Sequence, residues 1–444
     1  GPHAVAVAGG TSEFSCALLA NGQVTCWGRN VTGQLGIGGN ASVHQATASS
    51  PAAVDPGPVV RQVSTGFRGA CATLDTGAVY CWGDDQNGRV GDGTLGGGNV
   101  TAPSLVVGLD GVQRVALEVH TYSNHACALL DTGAVLCWGA DGSGQLGDGG
   151  EFGPRTSAVP VAVEGLDGVS ARAVALDVGA LNSCAVLDTG AVRCWGSDLV
   201  GQLGDGGAYA SAVLAPVPVV GLDGTSAVAT GLTVGYQHAC ARLRTGEVRC
   251  WGHNTSGQLG HGSTNASEPA PVSVSSFDGV TLSAVTVAAG TSHTCAVDTS
   301  GSMRCWGSDA AGQLGDGDDD EAVERAPVLV MSLGGAGPHP LEIAAGESQT
   351  CATTDAGTLL CWGGNTFGAL GTGGGGGNVY SPVGVPGFTS SSRPAHGVSA
   401  GHYATCALST RPTLQCWGED DWGQVGDGDD DGAPQLTPQS VSFR

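Results

Sequence analysis

Long apolar runs are missing from this chain: no stretch reaches 18 apolar residues, so no segment reads as a helix that spans a bilayer. Basic residues are scarce. Lys and Arg together number 16 against 40 Asp and Glu, a formal net charge of −24 over 444 residues. Such a surface repels phosphates and anionic headgroups, so nucleic acid is not an expected partner. No segment shows the pattern of a long amphipathic helix, and no linker or shift in composition divides the chain. A signal peptide is also missing. The first residues, Gly1-Pro2-His3, read as a mature terminus or a protease scar, with export information already removed.

Cysteine, by contrast, is plentiful and ordered. Sixteen cysteines form eight pairs at one spacing: Cys16 with Cys26, Cys71 with Cys81, Cys127 with Cys137, Cys184 with Cys194, Cys240 with Cys250, Cys295 with Cys305, Cys351 with Cys361 and Cys406 with Cys416. Every second cysteine opens the tripeptide Cys-Trp-Gly, which recurs every 55 to 57 residues. The chain is therefore eight copies of one supersecondary unit, read as a single domain over residues 1–444. Regular pairs with none left over indicate disulfides and an oxidising compartment, hence an extracellular, cell-surface or periplasmic location. Zinc is the competing reading, but a Cys-x9-Cys pair offers two ligands and no second pair nearby.

The third unit shows how register makes the bridge. Two apolar runs flank Asp131-Thr132-Gly133, a three-residue hairpin loop with glycine where φ must be positive. Pairing Leu130 with Ala134 sets Leu129 opposite Val135 and Cys127 opposite Cys137, at a non-hydrogen-bonded position where side chains approach most closely. A loop this short makes each bridge worth about 2–3 kcal/mol at most. Two further extended segments precede each hairpin. One is proline-led, as in Pro160-Val-Ala-Val163, and the other alternates, as in Ala171–Val178. Four strands per unit, repeated radially, predict an all-β fold: one eight-bladed β-propeller with four-stranded blades and an intra-hairpin disulfide in each. The chain starts at an alternating run, His3–Val7, and ends on an orphan proline-led strand, Pro438–Phe443. Joining the N- and C-terminal strands is expected to complete the eighth blade and close the ring.

Each Cys-Trp-Gly is followed by a loop such as Gln145-Leu-Gly-Asp-Gly149 or Gln313-Leu-Gly-Asp-Gly317, and Gly-x-x-His-x-Cys precedes the hairpin at Gly235–Cys240 and Gly290–Cys295. Together these resemble the regulator of chromosome condensation (RCC1) repeat over essentially the whole chain. The resemblance implies a propeller. Eight copies replace the familiar seven, and the paired cysteines resemble exported bacterial members. The family's founding member acts on a small GTPase at chromatin, and neither partner suits an acidic, disulfide-bonded chain. The Gly-Trp-Arg-His-Thr motif of the family's plant photoreceptor does not occur. A bacterial propeller that inhibits β-lactamases is the closer analogue, and shows that such a disc can bind protein.

Function is expected at the segments before each first cysteine, where the units differ. Phe14, Phe67, Arg68, Tyr122, Leu181, Tyr236, His402 and Tyr403 should ring the channel mouth on one face, with the aromatic composition of a binding hot spot. The expected function is a non-catalytic, secreted or surface-bound module that engages a protein or glycan. The alternatives are an exported glycan-active enzyme with carboxylates at the channel mouth, and a structural surface or filament subunit. No Ser/His/Asp set stands out, and His238 and His293 share one repeat position, which suits structural hydrogen bonding. Calcium is the one cofactor the sequence suggests. Asp427, Asp429 and Asp431 alternate before Gly432 like the first half of a calcium loop, although position twelve is Pro438. Asp316, Asp318 and Asp320 repeat the spacing without the glycine. Five Asn-x-Ser/Thr sequons lie at Asn30, Asn40, Asn99, Asn254 and Asn265.

Overall fold

The computed structural model forms eight antiparallel four-stranded sheets, with one short 3-10 turn at Thr366–Gly368. It describes residues 4–9, 14–38, 44–49, 59–66, 68–95, 98–150, 155–207, 209–320, 322–388, 394–401, 403–409, 413–421, 425, 427 and 433–441. In the third blade the strands are Ala116–Thr121, His125–Leu130, Ala134–Ala140 and Thr156–Asp167. Leu129 faces Val135 and Cys127 faces Cys137, and Gly133 takes φ of 84° in the hairpin loop.

The same register recurs in every blade and forms the eight expected bridges. Cys16 is joined to Cys26, Cys71 to Cys81, Cys127 to Cys137 and Cys184 to Cys194. In the second half of the ring Cys240 is joined to Cys250, Cys295 to Cys305, Cys351 to Cys361 and Cys406 to Cys416. All eight join cysteines 10 positions apart with Cα atoms 4.1–4.2 Å apart, and no cysteine is free. So close an approach belongs to non-hydrogen-bonded cross-strand pairs. These cysteines are at most 3% exposed, so the bridges are part of the core and not of a reactive or metal-binding surface.

Blade phase differs from the sequence expectation by one strand. The proline-led segment is the fourth strand of the blade whose Cys-Trp-Gly precedes it, not the first strand of the next. In blade 8 the strands are Ala395–Ala400, Ala404–Ser409, Thr413–Gly418 and Gln435–Ser440, all from the C-terminal end. Blade 1 likewise uses only residues 4–49. The ring closes between the chain ends, but not through a shared blade: Ala4–Gly9 packs against the first two strands of blade 8. The reason lies in the loop after Cys-Trp-Gly, which turns the chain straight back onto the strand it has left. Gly28 thus pairs with Gln45, and Gly418 with Gln435.

First strands of successive blades touch one another around the whole ring and line a central channel. Apolar side chains lie between blades, in eight clusters that each draw on two neighbours. The cluster joining Ala4, Leu19 and Trp27 to Leu408, Leu414 and Val441 seals the seam between the ends. The eight repeat tryptophans are at most 1% exposed. Each indole N–H resolved reaches back one blade, as Trp306 does to Gln258 O (2.9 Å) and Trp82 to Gln34 O (2.8 Å). Glycine is required in that loop: at Gly260, with φ of 68°, a Cβ would lie 2.6 Å from Trp306 Nε1. The Gln-Leu-Gly tripeptide is therefore the socket for the next blade's tryptophan, whose truncation to alanine costs about 3–5 kcal/mol.

A second repeat-wide device sits four residues after each Cys-Trp-Gly cysteine. Asn30, Asp85, Asp141, Asp198, Asn254, Asp309, Asn365 and Asp420 each accept, at Oδ1, the N–H five residues on, at 2.8–3.2 Å. This bond holds the loop in shape. It also decides two of the sequons, because Asn30 and Asn254 are at most 2% exposed and committed to it.

Candidate functional site

Loops between first and second strands rise at one face and rim a cavity of about 1020 Å³ at the channel mouth. Arg68, Tyr122, Leu181 and Tyr236 line it, as the sequence suggested. Tyr122, Leu181 and Tyr236 come from three consecutive blades and form a continuous arc. Tyr403 lies on the equivalent loop of blade 8 and packs edge-on against Phe367, with ring centroids 5.4 Å apart. Phe67 and His402 lie outside the described residues.

Phe14 is a correction. It is 1% exposed and belongs to the core cluster between blades 1 and 2. It stands two residues before its cysteine, where other blades carry His125, His238 or His293, and that position points into the inter-blade space. An aromatic there packs; it does not face a partner.

Charge around the mouth is uneven. Arg29, Arg68 and Arg89 gather on blades 1 and 2 of a chain whose 16 basic residues are all arginine. Asp84, 1% exposed, holds Arg89 at 2.9 Å and Arg68 at 3.7 Å. Arg89 also donates to Ser123 O at 3.0 Å and is 7% exposed, so it serves the architecture. Arg68 presents an accessible guanidinium edge. Burial pushes the Tyr122 hydroxyl above its ordinary value, and neighbouring Tyr236 and Asp177 push it further, so it stays a neutral donor.

Below the mouth, His120 stands between Glu118 (3.6 Å) and Asp177 (3.8 Å) on the channel wall. Burial alone would lower its pKa, but the two carboxylates outweigh burial and raise it. Burial raises the Asp177 carboxyl, opposed by His120 and by N–H donors including Val234 (2.8 Å). Both carboxylates are thus occupied with the imidazole or the backbone, and no serine or threonine hydroxyl hydrogen-bonds to the ring among the described residues.

The repeat-position histidines are structural. His238 Nε2 lies 2.9 Å from Thr294 Oγ1, which donates to Gln258 O (2.9 Å), the carbonyl that also receives the Trp306 indole. His293, Thr350, Gln313 and Trp362 repeat this one blade on. Because the threonine proton is committed to the carbonyl, the imidazole must be the donor at Nε2, with Nδ1 bare. Burial pushes His125 and His293 down to about 4 and His238 to about 3.

Among the described residues, no three Asp, Glu, His or Cys side chains stand together as a formed metal centre. Asp429 and Asp431 lie outside the described residues, so only Asp427 of that loop is placed. Asp316, Asp318 and Asp320 form successive turns, each Oδ1 accepting the N–H two residues on at 2.8–3.2 Å. Sequence reasoning missed Phe367, Arg89 and the Glu118–His120–Asp177 group. Arg89 did carry a signal, since Arg-Val replaces Gln-Leu in that loop alone.

Eight four-stranded blades around a channel, locked by tryptophans into the preceding loops, define an all-β propeller repeat protein. The chain matches the RCC1-like domain over residues 2–341 and the regulator of chromosome condensation (RCC1) repeat over residues 342–369 and 356–408. It belongs to the RCC1-like family. Ultraviolet-B receptor UVR8 of Arabidopsis thaliana is 32% identical over 331 residues, 74% of this chain and 70% of that protein. E3 ubiquitin-protein ligase HERC2 of Homo sapiens is 30% identical over 358 residues, covering 79% of this chain but 7% of that protein. Among solved structures, human WBSCR16 superposes with a TM-score of 0.69 at 21% identity, over 87% of this chain and 100% of that one. Yeast RCC1 (Prp20), bound to Kap60, gives 0.65 at 20% identity, over 85% and 87%. Identities this low speak to the fold alone.

Proposed function

We propose that the chain is a non-catalytic binding module, held in an oxidising extracytoplasmic compartment, that engages a protein or glycan through its channel-mouth face. The observation that carries this reading is the arc of Tyr122, Leu181 and Tyr236 on consecutive blades at the rim of a roughly 1020 Å³ mouth, beside the exposed Arg68. Tyrosine and arginine around a preformed concavity are the residue types that dominate binding energy. Relatives support a binding role: yeast RCC1 has been solved with Kap60 on it, and its binding to Gsp1p and histones has been described. Sixteen cysteines, all bridged, support the compartment.

The test is a pull-down from the native surroundings, with wild type beside a Tyr122→Ala/Tyr236→Ala/Tyr403→Ala variant. Partners captured by wild type should be lost or sharply reduced with the variant. Equal capture by both means the aromatic face is not the site.

A further inference from the structure

Side chains tie several of the channel-lining first strands to one another. Where the tie forms, the fifth residue of one first strand accepts the N–H of the sixth residue of the next. Ser64 Oγ accepts from Thr121 N–H at 3.1 Å, and Thr233 Oγ1 from Ala289 N–H at 3.3 Å. Asp177 Oδ2 accepts from Val234 N–H at 2.8 Å in the same way. The pattern breaks at the junction of blades 3 and 4. His120 occupies the acceptor position there, and Val178 N–H, the counterpart donor, turns instead to Asp177 Oδ1 at 2.9 Å. His120 Nδ1 approaches that same Asp177 oxygen at 3.8 Å, and its Nε2 approaches Glu118 at 3.6 Å. An imidazole between two carboxylates has replaced a hydroxyl link.

The three residues of the arc stand just downstream of this group. Tyr122 follows His120 by two positions, Leu181 follows Asp177 by four, and Tyr236 follows Val234 by two. The Asp177 carboxylate therefore joins the first strands of blades 3, 4 and 5 beneath the arc, through an imidazole on one side and an amide N–H on the other. His120 and Asp177 are 26% and 29% exposed, so solvent protons reach the pair from the channel. The titratable groups facing His120 are Glu118 on its own strand and Asp177 across the junction. Asp177 is faced by His120 and Glu118, and the Tyr122 hydroxyl by Tyr236 and Asp177. The second strand of blade 3 sets the bridged Cys127 opposite His120, and blade 2 contributes Gln62 and Ser64 to the flanking N–H groups; none of these titrates. Among the described residues no arginine pairs with Glu118 or Asp177, so the imidazolium is the cation they share. Burial lowers its pKa, but the two carboxylates outweigh burial and hold it above the ordinary 6.5.

We propose that Glu118, His120 and Asp177 form a proton-operated clasp that sets the spacing of Tyr122, Leu181 and Tyr236 and so regulates how tightly the channel mouth holds its partner. The regulatory half rests on the reading of that face as the partner site. With His120 charged, both carboxylates are drawn to one cation and the first strands of blades 3 and 4 are held together. With His120 neutral, the two carboxylates repel each other without a cation between them, and that link is lost. The Val234 N–H bond survives, so the arc loosens at Tyr122 and not at Tyr236. The clasp is thus closed below the raised pKa and opens as pH climbs through it. An arc held in one arrangement binds at a lower entropic cost, so capture strengthens on the acid side. His125, His238 and His293, with pKa values of about 4, 3 and 4, stay neutral in the fold from pH 6 upward and take no part.

The experiment uses the full chain, carbon-13 labelled at histidine and tyrosine ring carbons, with NMR spectra followed from pH 6 to pH 8.5. The His120 signal, assigned by its loss in His120→Thr, should titrate with a midpoint above 6.5. The Tyr122 signal, assigned by its loss in Tyr122→Phe, should shift with the same midpoint, and Glu118→Gln should lower that midpoint. In parallel, capture of partners from the native surroundings should be stronger at pH 6 than at pH 8.5 by roughly fivefold. His120→Thr writes the hydroxyl of Thr233 into blade 3 and should capture equally at both pH values. Should that variant fail to fold, the lowered midpoint of Glu118→Gln carries the test. The proposal is overturned by a His120 midpoint at or below 6.5, by a midpoint unchanged in Glu118→Gln, or by a Tyr122 signal indifferent to the His120 titration. Wild-type capture that depends on the three tyrosines but not on pH overturns it as well, as does a pH dependence that persists in His120→Thr. Capture left intact by Tyr122→Ala/Tyr236→Ala/Tyr403→Ala sinks the reading of the mouth as the partner site instead, and the two NMR midpoints then decide the clasp alone.

Discussion

Replacing Thr294 by valine keeps the side chain's shape and removes its hydroxyl, which tests the His–Thr–carbonyl relay between blades directly. Thr294 Oγ1 accepts from His238 Nε2 and donates to Gln258 O, each at 2.9 Å, and both side chains are 0% exposed. In Thr294→Val the carbonyl keeps the Trp306 indole, so losing that bond costs about 1 kcal/mol. His238 is then left with a buried N–H and no acceptor. The other tautomer brings no relief, because Nδ1 has no partner either, and the orphaned donor adds about 1–3 kcal/mol. The expected loss is about 2–4 kcal/mol. Thr405→Val is the matched control: its hydroxyl donates to Ala369 O (2.8 Å), but blade 7 carries Gln349 in place of histidine, and Gln349 Nε2 donates to Gly401 O (3.0 Å) instead. No donor is orphaned there, so about 1 kcal/mol is expected. Guanidinium unfolding with disulfides intact, followed by circular dichroism and by fluorescence to check for coincident transitions, measures both. Equal losses in the two variants, within about 0.5 kcal/mol, would refute the assignment of His238 as the donor.

Acid should weaken the fold through the same histidines. With pKa values near 4, 3 and 4 folded against about 6.5 unfolded, His125, His238 and His293 take up protons between pH 6.5 and 4 only when the chain unfolds, so stability falls as pH drops through that window. His238→Gln, copying Gln349 of blade 7, should reduce the loss between pH 7.5 and pH 5 by about 2 kcal/mol in guanidinium titrations; an unchanged loss would contradict the burial argument. Reduction should soften the domain without dismantling it, because every bridge lies within one hairpin and leaves the contacts between blades in place. The β-sheet circular dichroism should survive reductant at 25 °C, and its disappearance there would show that the hairpins depend on their cross-links.

Hairpin register, disulfide pairing, strand number and blade number were all legible in the sequence, because each follows from short-range periodicity repeated eight times. Blade phase was not. Pro216–Val220 reads equally well as the last strand of one unit or the first of the next, and only the pairing of Cys194 with Val217 decides it. At the mouth, Tyr122, Leu181 and Tyr236 were legible because they follow the ends of first strands, where side chains clear the sheet. Phe14 was misread because an aromatic two residues before a cysteine looks exposed in one repeat, and its direction emerges only when His238 shows where that position points. Of the calcium expectation at Asp427, Asp429 and Asp431, only Asp427 is placed, because the other two lie outside the described residues. Asp427, the placed member of the expected loop, occupies the same repeat position as Asp316.

That no blade borrows a strand from the other end of the chain has a topological consequence. Every blade is contiguous in sequence, and the junction between blades 8 and 1 is an apolar stack like the other seven, with no strand shared between the two blades among the described residues. The ring is in effect a head-to-tail interface that closes after eight steps. Circular permutation is therefore permitted at any connection between blades: linking the strand Gln435–Ser440 to Ala4–Gly9 and opening new ends elsewhere relocates the seam without altering a single sheet.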